Sequence, residues 1–216
     1  MEVDLHIHSK YSRDSFLSPR SIVRTAKSKG LSAIAVTDHD TVVGALETAK
    51  ISREDLVVIP GIEVRTNIGD LVSLFVEEEV ASRDFYEVVD ETREQNGLVV
   101  LPHPLRGHGK ISSEVMHSID VVEVLNGRSL YRENTGAREL ALSYGKPMIS
   151  GSDAHFNFEI GCVRTILSDV SSSMEELRKS IAKDDRSLVG SESPFIVRAL
   201  SFGAEMVKRT ASSLRS

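Results

Sequence analysis

The sequence predicts an α/β protein built round a parallel sheet. Three observations predict it. Short apolar runs alternate with helix-period segments from one end of the chain to the other. The runs are continuously apolar, as strands buried on both faces must be. The residues able to do chemistry fall directly after those runs. Roughly six or seven strand–helix units can close into a barrel or stay open, and the pattern alone leaves both.

The elements follow in order. Val3-Asp4-Leu5-His6-Ile7 reads as a strand. Ser18-Pro19 opens a helix, with serine as N-cap and proline at the first helical position, and Gly30 is placed to end it. Ala33 to Val36 is a short buried strand and Thr41 to Lys50 a helix. Leu56 to Pro60 and Leu71 to Val76 are strands. Asp84 to Asn96 is a helix with Asp84 and Glu87 as a capping box and Gly97 as terminator. Leu98 to Leu101 and Val121 to Leu125 are strands. Arg132 to Tyr144 is a helix that stops at Gly145, and Pro147 to Ser150 a strand. Ser173 to Lys183 is a helix with Ser173 and Glu176 as its capping pair, and Leu188-Val189 a last short strand. The chain divides into a domain over 1–190 and a helical appendage over 191–216. In the appendage Phe195, Ile196, Ala199, Leu200, Gly203 and Val207 recur near helical spacing, so it packs on the domain or on a partner subunit.

Composition narrows the function classes. The chain has 216 residues, 40% hydrophobic and 27% charged, as a globular domain does. No apolar run approaches the ~20 residues of a membrane helix, and the acidic start Met1-Glu2-Val3-Asp4 does not read as a signal peptide. The single cysteine, Cys162, excludes an intrachain disulfide and points to a reducing cytoplasm. Its neighbours Ile160, Gly161 and Val163 favour a packed side chain over a catalytic thiol. A net charge of −6 argues against a protein that coats nucleic acid, although a local basic rim can still hold a phosphate.

The chemistry lies at the strand ends. His6 and His8 stand two apart, so in a strand both imidazoles face one side. His39 follows the second strand, Glu63 the third, and His103 the Leu98 strand. Asp153 and His155, again two apart, follow the Met148 strand, and Asp14 lies in the first loop. In a parallel α/β fold these loops share one edge of the sheet. A lone histidine or aspartate at a strand end is ordinarily a hydrogen-bonding or capping residue, and that reading is open for Asp40 before Thr41, which is left off the ligand set, and for Asp14. Five of the seven histidines in one kind of place are not explained that way. Nitrogen and carboxylate donors together suit Zn²⁺, Mn²⁺ or Fe²⁺, and the donor count fits two or three ions better than one.

Asp4-Leu5-His6-Ile7-His8-Ser9, Thr37-Asp38-His39-Asp40, Gly61-Ile62-Glu63, Pro102-His103-Pro104 and Gly151-Ser152-Asp153-Ala154-His155 resemble, in order, the motifs of the PHP (polymerase and histidinol phosphatase) family. The resemblance runs from residue 4 to about residue 165. It implies a distorted seven-stranded (β/α) barrel of TIM-like type with up to three metal ions. It also implies a ligand set: His6, His8, Glu63 and Asp153 on a first ion, Glu63 and His103 on a second, and Asp14, His39 and His155 on a third. Glu63, Asp153 and His155 are then the residues nearest the reaction. Family members usually carry a further histidine on the strand after Gly-Ile-Glu. The nearest alignment puts Asp70 there, either as a ligand of shorter reach or as a turn residue after Gly69.

Val122 to Arg128 resembles a subgroup of small PHP phosphoesterases. Asn126 and Arg128, with Arg106, His108 and Lys110 in the loop after His103, are candidate phosphate contacts, or else solvated loop residues. The expected function is hydrolysis of a phosphomonoester or phosphodiester of a small molecule or nucleotide by water activated on the ions. Metal-dependent amide or lactone hydrolysis is the alternative, and a non-catalytic subunit of an RNA-processing complex a third reading. A nucleic-acid substrate is not favoured by the charge, no membrane is involved, and oligomerisation is left open.

Overall fold

The computed structural model describes residues 1–52, 55–106, 111–168, 173–183 and 186–192. The expected C-terminal helix, His108 and Lys110 lie outside them. Among the described residues nine strands are present: β1 (Glu2–Ile7), β2 (Ala33–His39), β3 (Val57–Arg65), β4 (Asp70–Leu74), β5 (Leu98–Leu101), β6 (Val121–Asn126), β7 (Met148–Gly151), β8 (Val163–Leu167) and β9 (Arg186–Gly190). The helices are α1 (Pro19–Ser28), α2 (Val43–Ile51), α3 (Phe85–Glu94), α4 (Ser113–Ser118), α5 (Tyr131–Ser143) and α6 (Met174–Ile181).

The strands form one sheet in the order β7-β6-β5-β4-β3-β2-β1-β8-β9. Seven of them, β1 to β7, run round a barrel in chain order. The barrel nearly closes where β7 meets the end of β1. Ile7 and Ala154 form a parallel bridge there. His8 N donates to the Ala154 carbonyl at 2.9 Å and Asp153 N to the His6 carbonyl at 2.7 Å.

The architecture departs from seven parallel strands in two ways. β4 is antiparallel to both β3 and β5. Only residues 66–69 join β3 to β4, too few for the crossover that a parallel neighbour needs, so the chain returns as a hairpin. β8 and β9 then form an antiparallel pair, with β8 lying against Glu2 and Val3.

Side-chain alternation sorts the core. Val3, Leu5, Ala33, Ala35, Ile59, Val72, Leu74, Leu98, Val100, Val121 and Ile149 form one buried cluster drawing on every barrel strand, which makes it the barrel interior. Leu177 and Ile181 of α6 join it. Alternate residues face outward. Ile34, Val36 and Val58 pack with Ile22, Val23 and Ala45 of α1 and α2. Val99, Leu101, Val122 and Val124 pack with α3, α4 and α5.

The helix ends show what local sequence can and cannot specify. Ser18, Asp84 and Ser173 cap α1, α3 and α6 as their positions predict. Glu87 does not complete a capping box, because it accepts from Ser82 Oγ at 2.6 Å. Asn96, at φ 58°, takes the left-handed position expected of Gly97. Asp40 does not cap α2. Glu79, distant in sequence, accepts from Thr41 Oγ1 at 2.8 Å and Val42 N at 3.1 Å instead.

Candidate metal centre

On the interior face, the apolar layer gives way to polar side chains at the C-terminal ends of the parallel strands. β1 breaks register with β2 between Asp4 and Ile7. Past the break His6 and His8 are buried with their Nε2 atoms 3.1 Å apart. Gly151 of β7 lies alongside. A Cβ there would collide with the His6 Cβ and with Glu123 Oε1, so the close approach requires glycine. His103 and Asp153 are held at φ 29° and 55°, unfavourable for residues with a Cβ, and strain of that kind gathers at functional sites.

Glu63 is the centre of the site. Its Oε2 lies 3.5 Å from His6 Nε2, 3.3 Å from His8 Nε2 and 3.2 Å from His39 Nδ1. Its Oε1 lies 3.2 Å from His103 Nε2. Asp153 Oδ1 is 3.3 Å from His8 Nε2. Asp14 Oδ2 spans His39 Nε2 at 3.2 Å and His155 Nε2 at 2.9 Å. Among the described residues three groups have ligand atoms within 4.8 Å of one another: His6 with His8 and Asp153; His6 with Glu63 and His103; and His8 with Asp14, His39 and His155. Unsaturated nitrogen and carboxylate donors at this spacing are a set that divalent transition ions fit.

The electrostatics agree. Burial would raise Glu63 and Asp153, yet both lie well below the carboxylate range: His39 and His6 outweigh burial at Glu63, and Arg106 and His6 at Asp153. Burial would lower His6, but the charges of Glu123, Asp153 and Glu63 carry it well above the imidazole value. Burial would also lower His8, but hydrogen bonds with Asp153 and Glu63 raise it to about 10. At His155 burial and the neighbouring His8 charge prevail over Asp14, and the value falls to about 4.

This predicts proton release. In the metal-free chain the carboxylates make His6 and His8 hold protons more tightly than a free imidazole, and His155 less tightly. A ligating imidazole must be neutral, so filling the site releases protons and affinity rises with pH. Titration calorimetry with Mn²⁺ or Zn²⁺ in buffers of different ionisation enthalpy should give buffer-dependent heats. Buffer-independent heats would contradict this charge assignment.

The structure brings His6, His8, Asp14, His39, Glu63, His103, Asp153 and His155 together as expected. It does not bring Asp70 among them. Asp70 pairs with Arg65 at the rim of the β3–β4 hairpin, and both its oxygens lie 2.9–3.0 Å from Arg65 Nη1. The residue facing Glu63 across that register is Val72. Asn126 is buried and its Nδ2 donates to Glu123 Oε2 at 2.9 Å and Asp153 Oδ2 at 3.3 Å. Arg106 donates to Asn126 Oδ1 at 3.0 Å and to Asp153 Oδ2. Arg128 is buried, with Nη1 2.6 Å from His155 Nδ1 and Nε 3.5 Å from Glu159 Oε1. It is not a solvated loop charge.

Motif reading gave no role to several supporting carboxylates. Glu123 holds His6 Nδ1 at 3.1 Å and accepts from His103 N at 3.0 Å, which orients one ligand and pins the backbone of another. Asp38 accepts from Ser9 N at 2.5 Å and Ser9 Oγ at 2.6 Å. Glu159 accepts from His155 N and Phe156 N at 2.8 and 2.9 Å. The available signal was a carboxylate inside an apolar strand, Val121-Val122-Glu123-Val124.

Comparison with known proteins follows this geometry. The PHP domain family matches residues 4–185. The chain is 37% identical over 172 residues to the uncharacterized protein MJ0417 of Methanocaldococcus jannaschii, covering 74% of this chain and 68% of that one. It is 36% identical over 140 residues to MJ1587 of the same organism, covering 58% and 82%. Among solved structures it resembles a two-domain protein from Bacteroides vulgatus containing a predicted PHP-like metal-dependent phosphoesterase. That TM-score is 0.74 at 20% identity, over 94% of this chain and 69% of the other. With the barrel, the ordered motifs and the clustered donors in place, the chain belongs to the PHP domain family.

Proposed function

We propose that this chain is a metal-dependent hydrolase of a phosphomonoester or phosphodiester carried by a small molecule or nucleotide. One observation carries the reading: among the described residues three groups of nitrogen and carboxylate donors, overlapping at His6 and His8, converge at the mouth of the barrel, flanked by two guanidinium groups. When bound, divalent ions in such a site supply a water of lowered pKa and neutralise phosphoryl charge.

The protein's own groups do the rest. Glu63 and Asp153 hold the site together and His155 completes the group on Asp14. Arg106 and Asn126 lie on one side of Asp153 and Arg128 behind His155, at positions from which cationic and amide donors meet the oxygens of a phosphoryl group. These donors favour phosphate over an amide or lactone, which presents less charge to stabilise. The single cysteine, Cys162, supports a cytoplasmic setting. Among the described residues no helix is long and apolar enough to cross a membrane.

The test is a panel of phosphomonoesters, phosphodiesters, amides and lactones assayed with Mn²⁺, Zn²⁺ or Fe²⁺. Metal-dependent turnover is expected on phosphoesters and not on the amides or lactones. Turnover confined to amides or lactones overturns the proposal.

A further inference from the structure

The donors at the mouth do not divide evenly among three ions. His6 belongs to two of the three groups. Its Nδ1 is 3.1 Å from Glu123 Oε1, and a carboxylate there accepts a hydrogen bond from Nδ1–H and leaves Nε2 for a metal. One ring nitrogen serves one ion. If His6 joins His8 and Asp153, the pole at His103 keeps two protein donors among the described residues, His103 Nε2 and Glu63 Oε1, 3.2 Å apart.

The adjoining strand supplies nothing further. On β4 the residue registered with Glu63 is Val72, and the next on that face is Leu74, both buried in the interior cluster. Asp70 is on Arg65. A cation nevertheless stands near this pole, beside Asp153. The Arg106 N donates to the His103 carbonyl at 2.9 Å, so the chain turns tightly after His103. That turn lays the guanidinium against Asp153 Oδ2 and Asn126 Oδ1. A guanidinium stays charged at any physiological pH and needs no coordination shell.

We infer that this chain binds two divalent ions firmly, one on His6, His8, Glu63 and Asp153 and one on Asp14, His39 and His155, and that Arg106 replaces a third ion at the His103 pole. The inference rests on the metal-hydrolase reading above. In this arrangement Arg106 is the fixed positive group that faces a phosphoryl oxygen on the His103 side, where two protein donors are too few for a closed site.

The test counts metal. The full chain, stripped and then dialysed to equilibrium against increasing Mn²⁺ or Zn²⁺, should level off at two ions per chain by elemental analysis. Val72→His, which adds a donor beside Glu63, should bring it to three. Arg106→Met should stay at two and bind inorganic phosphate roughly tenfold more weakly in the metal-loaded form, the loss expected for a charged hydrogen-bond donor. Three firmly bound ions in the unaltered chain overturn the inference. So does an unchanged phosphate affinity in Arg106→Met, or a count of two in a folded Val72→His chain. Fewer than two ions in the unaltered chain overturns the metal-hydrolase reading itself, which separates the two failures.

Discussion

Replacing Glu63 by glutamine should lower metal-dependent phosphoester turnover by about a thousandfold, equivalent to about 4 kcal/mol of transition-state stabilisation. It should also reduce the bound metal. The size of the effect follows from position. One carboxylate lies within 3.5 Å of His6, His8, His39 and His103, so it touches every donor group through a ligand or directly. Glutamine has the same shape but no charge, and it offers one acceptor where the carboxylate offers two. The barrel itself should survive. Ile62 and Val64, the outward neighbours of Glu63 on β3, pack in the outer cluster and are untouched. Unchanged circular dichroism with lost metal and lost turnover is the expected combination, and near-normal turnover would remove Glu63 from the centre of the mechanism.

The donors were legible because each motif is a local signal. A strand end sets two residues of one parity on one face, and His6/His8 and Asp153/His155 need no more than that. What convergence adds is non-local. The seam between β1 and β7 joins residues nearly 150 apart, and it alone places Asp153 opposite His8. The choice between ligand and turn residue at Asp70 turns on the same kind of non-local fact. Its sequence neighbours Gly69 and Leu71 mark a strand start, but only the β3–β4 register tells which β4 residue stands beside Glu63. That residue is Val72, which carries no chemistry and so gave no signal. β8, Val163-Arg164-Thr165-Ile166-Leu167, is a short stretch with a half-polar alternation, and what makes it a strand is its non-local pairing with β1 and β9. α2 shows the limit at a helix end. Its capping acceptor, Glu79, comes from across the fold, where no local motif points.

The same seam sets the largest expected stability effect, at Asp4. This carboxylate is fully buried and touches no other charged group among its hydrogen bonds. It accepts from Ser152 N at 2.9 Å, Gly161 N at 2.7 Å and, more weakly, His6 N at 3.4 Å. Burial raises its pKa, with the backbone donors pulling the other way. Asp4→Ala leaves two buried N–H groups without an acceptor and opens a small cavity between β1 and the segment after β7. Together these should cost about 3 kcal/mol or more, a fall in melting temperature of roughly 6–12 °C for a chain of this length. Asp4→Asn should recover only part of that. Its amide oxygen can serve one donor, but its NH₂ would face the other as a second donor. Differential scanning calorimetry of the metal-free proteins measures both, and a loss below 1 kcal/mol for alanine would show that the seam closes without Asp4. The consequence reaches the site. Ser152 precedes Asp153, and Asp153 N is itself bonded to the His6 carbonyl. An Asp4 variant should therefore bind metal more weakly even after correction for its stability, because the residue that holds the barrel shut also holds the carboxylate facing His8.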